Sequence, residues 1–291
     1  MKKLIASFLI HLIPFSIMAL PLGNPLEPSL LTKTVFSGYV FPPLNDPRLC
    51  DVWGLKIGYY GDFVWNRHME IHTSDTRPRS KIREIQLETD AALIALNFWN
   101  RVDLFCALGG TEIFLISPGG AFNPATDADS RRRVTITTNT DFAWSCGLRA
   151  TLWERRCFGL GAEVQYAHAR PHLFSLRVDD FLPFDIRSSG HIDYQEWQAG
   201  VGAAYKIRIP GRCVSLVPYT GIKWAHAVMK VRHPVIALTP TTTYSLSHFE
   251  NAKDFGGAVG ISMIGCSRAS LSVEGRFCDE NAIHIDFHFR F

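Results

Sequence analysis

From Trp53 to the end, apolar and polar residues alternate one for one along most of the chain. The final stretch, Ala282 to Phe291, is the cleanest case. Ile283, Ile285, Phe287, Phe289 and Phe291 are apolar, while His284, Asp286, His288 and Arg290 are polar. Side chains on a strand point to opposite faces with period 2, so this pattern predicts a strand with one apolar and one polar face. Earlier segments repeat it. Leu55, Ile57, Tyr59, Phe63 and Trp65 oppose Lys56, Gly58, Tyr60 and Asp62. A second strand is predicted over 83–98, with Ile85, Leu87, Ala91, Leu93 and Ala95 read as its apolar phase, followed by Val102, Leu104, Cys106 and Leu108. Phe142 to Leu152, Phe158 to Tyr166, Trp197 to Tyr205 and Ala269 to Phe277 carry the same alternation. About ten strands are clear, and their lengths suit the ~9–11 residues of a membrane-crossing strand.

The connections sort into two kinds. Tight turns fall at 99–101, 154–156, 209–212 and 265–267, and long polar loops at 67–82, 117–139, 170–190 and 230–254. Short turns at one end and long loops at the other are the habit of outer-membrane barrels, whereas a soluble sandwich has no reason to sort loops by end. The expected fold is therefore all-β: a closed antiparallel transmembrane β-barrel of about 10–16 strands, with short periplasmic turns and long extracellular loops. Its last strand must pair with its first, because an open edge is not tolerated in lipid. Tyr166, Tyr194, Trp197, Tyr205, Tyr219, Trp224, Trp65, Trp99 and Trp153 are placed near strand ends, as aromatic girdles would be. A soluble periplasmic sandwich is the competing fold, and it would pack the apolar faces against one another.

Met1 to Ala19 stands apart. Lys2 and Lys3 precede the apolar Leu4 to Ile13, and the segment closes on Ala19, the pattern of a secretory signal peptide. Residues 20–52, rich in Pro, Gly and Asn, are expected to be a periplasmic lead-in, and 53–291 the barrel. A net charge of +3 gives no basic stripe for nucleic acid. The seven cysteines are an odd number with no Cys-x-x-Cys, so zinc-type ligation has no support. The pairs His68/His72 and His226/His233 match no metal spacing and are read as loop residues. His168 and His172 lack the Glu of a His-Glu-x-x-His frame, and His284, Asp286 and His288 fit a strand's polar face without remainder. No enzyme, cofactor or metal is expected. Arg131-Arg132-Arg133 reads as a solvated loop run, with an anionic partner as the alternative.

Charged residues in the polar phase must face water or one another. On this ground Lys56, Asp62, Arg149, Glu163, Glu196, Lys223, Glu274 and Arg276 are the candidate pore-lining residues. They either line a water-filled bore or form ion-pair networks that plug a narrow one. Barrel size decides between the two, since about 8 strands leave an interior filled by side chains and about 16 an aqueous channel.

Several blocks resemble the chlamydial major outer membrane protein family. They include Leu20-Pro-Leu-Gly-Asn-Pro-Leu-Glu-Pro-Ser29, Gly58-Tyr-Tyr-Gly-Asp-Phe-Val64, the run from Ala95 to Cys106, Ile192 to Ala199, Pro218 to Trp224, and Val273 through Phe291. The resemblance covers nearly the whole chain after Ala19. It implies a general porin in the bacterial outer membrane, passing small hydrophilic solutes and ions, with a structural role in the envelope. A non-conducting structural or adhesive barrel is the alternative. It also implies the lipid bilayer as surroundings, a homotrimer, and disulfide links to other envelope proteins, with Cys50, Cys106, Cys157 and Cys278 as the candidate cysteines. The chain departs from the family in its shorter loops, in a cysteine-dense block reduced to Cys50, and in Phe255-Gly-Gly where the family has a cysteine.

Overall fold

The structure is a computed structural model. It describes residues 20–33, 53–71, 82, 84–118, 133–178, 181–184, 190–232, 235–239, 242–245, 248–278 and 280–291. The expected signal peptide, Cys50 and Arg131-Arg132 lie outside the described residues.

Ten long strands form a closed barrel. They are β1 (Trp53–Arg67), β2 (Glu84–Phe98), β3 (Val102–Pro118), β4 (Asp141–Arg155) and β5 (Phe158–Ala169). The rest are β6 (His191–Tyr205), β7 (Val214–Arg232), β8 (Phe255–Gly265), β9 (Ala269–Phe277) and β10 (Glu280–Arg290). Each pairs antiparallel with its chain neighbours, and β1 pairs with β10 in the register Lys56↔Arg290, Gly58↔His288 and Asp62↔His284. That last pairing satisfies the backbone of both end strands. Among the described residues no helix is long and apolar enough to cross a membrane.

The turns at the periplasmic end are tight because the sequence supplies residues held at positive φ. Trp99 and Asn100 sit at φ 52°, and Cys266 and Ser267 at 51° and 58°. Two consecutive left-handed residues give the hairpin turn whose twist matches that of the flanking strands. At the other end the connections are long and build strands of their own, at Arg133–Thr138, Leu173–Val178, Phe181–Phe184, Val235–Thr239, Thr242–Ser245 and His248–Asn251.

The outward face is apolar. Ile57, Leu104, Leu148, Leu152, Val164, Val201, Ile222, Ile261 and Val273 are exposed there, as a lipid-facing wall requires. Two aromatic bands bound it. Trp65, Trp144, Tyr166, Trp197 and Trp224 form the outer band, in which the Tyr166 ring lies 5.5 Å from Trp144 and 4.6 Å from Trp197. Trp53, Trp99, Trp153, Phe158 and Tyr205 form the inner one. Trp144 and Trp153 are nine residues apart on β4. That is roughly 30 Å of strand at ~3.3 Å per residue, and about 23 Å along the membrane normal at a tilt of ~40°.

Two expectations need correction. Tyr194 and Tyr219 belong to neither band, since both are buried inside. The phase of β2 is also reversed: Ile85, Leu87, Ala91, Leu93 and Ala95 point inward, and Ile94 and Leu96 face out. This strand is apolar on both faces, so alternation alone does not fix its phase. Its inner face packs against Tyr60, Phe105 and Ala107 on the neighbouring strands.

Candidate functional site: the barrel lumen

The eight charged residues expected to line a pore all point into the barrel, and each is buried. They do not surround an open bore. Residues 20–31, expected as part of a periplasmic lead-in, lie inside the lumen as a plug. Here the chain runs from Leu20, near mid-barrel, to Lys33 at the periplasmic end, where the Lys33 amide donates to the Ser267 carbonyl. A one-turn helix, α1 (Glu27–Leu30), begins with Pro28 in its first turn, where the missing amide hydrogen costs nothing. The Asn24 side-chain oxygen accepts from the Leu26 amide at 2.9 Å and shapes the entry to this turn.

Glu27 is the anchor. Its carboxylate accepts from His288 Nδ1 at 2.7 Å and pairs with Arg149 at 3.2 Å and Lys56 at 3.5 Å. Burial would push this carboxyl up. His288, Lys56 and Arg149 together outweigh burial and hold it below the usual carboxylate range. The wall also binds the plug backbone. Both Glu274 oxygens accept amides, from Leu22 and Gly23, at 2.9 Å each. Gln198 donates to the Pro21 carbonyl, Thr151 to Pro25 and Asn97 to Pro28, while Lys223 donates to the Leu20 carbonyl and Arg290 to Leu31. A segment with so little regular structure can be buried only if its backbone polar groups are met in this way.

Glycine makes the room. A methyl group at Gly159 would stand 2.2 Å from Leu26, and one at Gly221 2.0 Å from Leu22. Leu26, Leu30 and Leu31 pack with Ala204, Val217, Tyr219 and Ile264 into a small apolar cluster at the periplasmic end.

Beyond the plug the wall charges pair with one another. Arg276 joins Asp62 and Glu280, Arg67 joins Glu196 at 2.8 Å, Arg149 joins Glu163, and Lys56 joins Asp103. The network thus holds all eight expected residues or their direct neighbours. It also includes Glu27, Arg67, Asp103, Glu280, Asp286, His288 and Arg290, which were not singled out as pore residues. For those on strands, the cue was the same polar phase. For Glu27, it was the run of lumen-phase glycines, Gly159, Gly161, Gly200 and Gly202, which leaves a volume some other part of the chain must fill.

Above Leu20 a cavity of about 50 Å³ is lined by Asp62, Arg67, Tyr194, Glu196 and Glu280 among others. Leu20, Val64, Leu87, Ala91 and Ala107 share that lining, so its polar groups sit at one side of a mostly apolar space. Farther out the interior changes character. Ile85, Ile113, Leu115, Ile136, Leu176, Met229 and Phe249 belong to one buried apolar cluster that draws on eight of the ten strands.

Cys106 forms a disulfide with Cys146, its directly paired neighbour on β4. Cys106 was among the expected cysteines and Cys146 was not. Cys157 is a half-buried thiol and Cys278 is buried. Glu27, Asp286 and His288 have metal-ligand spacing, but Lys56 and Arg149 already sit on Glu27, so a divalent cation there would meet two positive charges. Ser270 and Glu27 both face the same nitrogen of His288, Nδ1, so the ring cannot relay a proton from the hydroxyl to that carboxylate.

The sequence profile described as Chlamydia major outer membrane protein matches residues 1–80, 76–130 and 128–181. The chain belongs to this family. It is 29% identical over 404 aligned positions to the major outer membrane porin, serovar L3, of Chlamydia trachomatis, with 100% of both chains covered. It is 28% identical over 396 positions to the major outer membrane porin of Chlamydia pneumoniae, again with 100% of both covered. Both alignments are longer than the 291 residues present, so these relatives carry inserted segments that this family member lacks. Among solved structures, the outer membrane protease OmpT from Escherichia coli is similar over 83% of this chain and 97% of that chain, at 11% identity and a TM-score of 0.44. The translocator domain of autotransporter NalP from Neisseria meningitidis is similar over 82% and 88%, at 8% identity and a TM-score of 0.36. The protein is an outer-membrane β-barrel, with its apolar wall in the bilayer.

Proposed function

We propose that this protein is a porin that lets small hydrophilic solutes and ions diffuse across the outer membrane, and that it also has a structural role in the envelope. The observation that carries this reading is the charged belt around the barrel's middle. Lys56, Asp62, Arg149, Glu163, Glu196, Lys223, Glu274 and Arg276 place both signs of charge on the inner wall, where an apolar wall would be simpler to bury. Membership in a family whose relatives are named major outer membrane porin supports it. In the conformation described here, residues 20–31 fill that belt, so conduction requires the segment to leave or shift. With both signs present, ion selectivity is weak. The same family reading extends to a homotrimer, to disulfide links with other envelope proteins, and to the absence of enzymatic activity.

The apolar cluster across the outer end favours a second reading, a barrel that does not conduct. Planar-bilayer recordings separate the two, using the full mature chain and a chain lacking residues 20–31. The porin reading expects current steps, larger and more frequent in the shortened chain. Silence from both, with the barrel folded by heat-modifiable gel mobility, supports the non-conducting reading.

A further inference from the structure

The first plug residue, Leu20, is buried with its backbone nitrogen 3.3 Å from Glu196 Oε1. The other oxygen of Glu196 takes Arg67 and the Tyr194 hydroxyl. Glu196 thus presents one carboxylate oxygen to a nitrogen that is an ordinary amide only while a leader remains attached.

We propose that Glu196 is the receiving site for this chain's own α-ammonium group, created at Leu20 when the leader is removed, and that this ion pair seats the plug. The chemistry is a hydrolysis. Water adds across the Ala19–Leu20 amide, the C–N bond breaks, a carboxylate leaves on Ala19, and Leu20 keeps the nitrogen as an ammonium. The group needs no further reactant.

Three observations converge on the site. The first is charge. Among the described residues, eight buried Asp and Glu side chains of the lumen face six buried Lys and Arg, with His284 and His288 also among them; the ninth buried acid, Asp193, pairs with His168, Arg170 and Arg232 instead. Arg67 pairs with Glu196 and lies 3.8 Å from Glu280, which Arg276 meets at 3.2 Å while also holding Asp62, so two guanidinium groups serve three carboxylates here. An extra positive charge at Leu20 would fall where acids are in excess, and an α-amino group, ordinarily titrating near ~8, is protonated beside a carboxylate. The second is room. A cavity of about 50 Å³ next to Leu20, mostly apolar but with Asp62, Glu196 and Glu280 in its lining, leaves space at the nitrogen for an ammonium's remaining hydrogens. The third is preorganisation. Lys223 holds the Leu20 carbonyl, Gln198 the Pro21 carbonyl, and Glu274 the next two amides, so the nitrogen is delivered to Glu196 from a fixed backbone.

The test is amine acetylation of the folded protein with an N-hydroxysuccinimide ester. A pulse is followed by denaturation, digestion and mass spectrometry. The exposed Lys33 and Lys253 serve as internal references. The expected result is an N-terminal peptide beginning at Leu20 whose α-amine reacts roughly tenfold more slowly than in the unfolded chain, because reaction requires local opening. Glu196→Gln should remove most of that protection, and Glu196→Asp should restore part of it. Inserting Gly-Ser between Ala19 and Leu20 leaves Glu196 in place and displaces the ammonium, so it covers the case in which Glu196→Gln does not fold. A mature chain starting at another residue, an α-amine as reactive as Lys33, or protection unchanged by both the Gln variant and the insertion would overturn the proposal. None of these readouts depends on whether the barrel conducts.

Discussion

The two ends of the barrel interior are filled in opposite ways. Around the middle the wall is charged, and its partner is the segment 20–31, held by Glu27 and by hydrogen bonds from wall side chains to backbone groups, with the small apolar cluster of Leu26, Leu30 and Leu31 below it. Toward the outside the filling is aliphatic and comes from the wall strands themselves and from strands within the long connections, such as Ile136 and Phe249. A polar filling can exchange its partners for water at modest net cost, because a hydrogen bond to protein replaces one to water. An apolar filling has no such exchange, and opening it exposes surface at about 25 cal/mol per Å². The charged inner filling is therefore the easier of the two to exchange, and the aliphatic outer filling the one whose loss should cost the barrel more.

The largest effect should follow from damage to the outer end. Phe249 is fully buried and lies in a strand that pairs with both β7 and Met69–Ile71, tying two connections together. Phe249→Ala should lower unfolding stability by about 3–5 kcal/mol, the usual cost of deleting a large core side chain. Tryptophan fluorescence against urea, in detergent, reads this directly. An unmoved midpoint would mean that the outer cluster is not part of the cooperative unit.

Glu27→Gln attacks the inner end and should divide its effect differently. Lys56 keeps Asp103 and Arg149 keeps Glu163, so neither cation is left unpaired, and the barrel's urea midpoint should barely move. Plug docking should weaken by about 1–3 kcal/mol, the range for losing a charged partner. Hydrogen exchange at the Leu22 and Gly23 amides, both bonded to Glu274, reports docking without reporting barrel unfolding. Equal loss of barrel stability in the Phe249 and Glu27 variants would erase the distinction between the two ends.

Alternation carried far in the sequence where the two faces differ in kind. The clean phases of β4, β5, β9 and β10 placed Arg149, Glu163, Glu274 and Arg276 inside correctly, because one face meets lipid and cannot hold a charge. It failed on β2, whose inner face packs on Tyr60 and Phe105 and needs no polar residues. The plug was hidden for another reason. Residues 20–31 have no period, and what places them is a set of contacts more than a hundred positions distant in sequence, such as Glu27 with Arg149 and His288. The partner of Cys106 was missed because cross-strand register, not spacing, sets it opposite Cys146.

The smallest effect is the most specific. The three atoms nearest a methyl group added at Gly159 all belong to the Leu26 side chain, so its cost falls first on the plug. With the plug absent, Gly159→Ala should be neutral or slightly favourable, since glycine weakens a strand interior. With the plug present, it should cost about 1–3 kcal/mol of docking, as overpacking does. The two substitutions Gly159→Ala and Leu26→Ala touch each other, so their effects on Leu22 and Gly23 exchange should not add. The double variant should dock better than the two single losses combined predict, because the shortened side chain vacates the space the new methyl takes. Strict additivity would place Leu26 away from Gly159, and with it the segment outside the lumen.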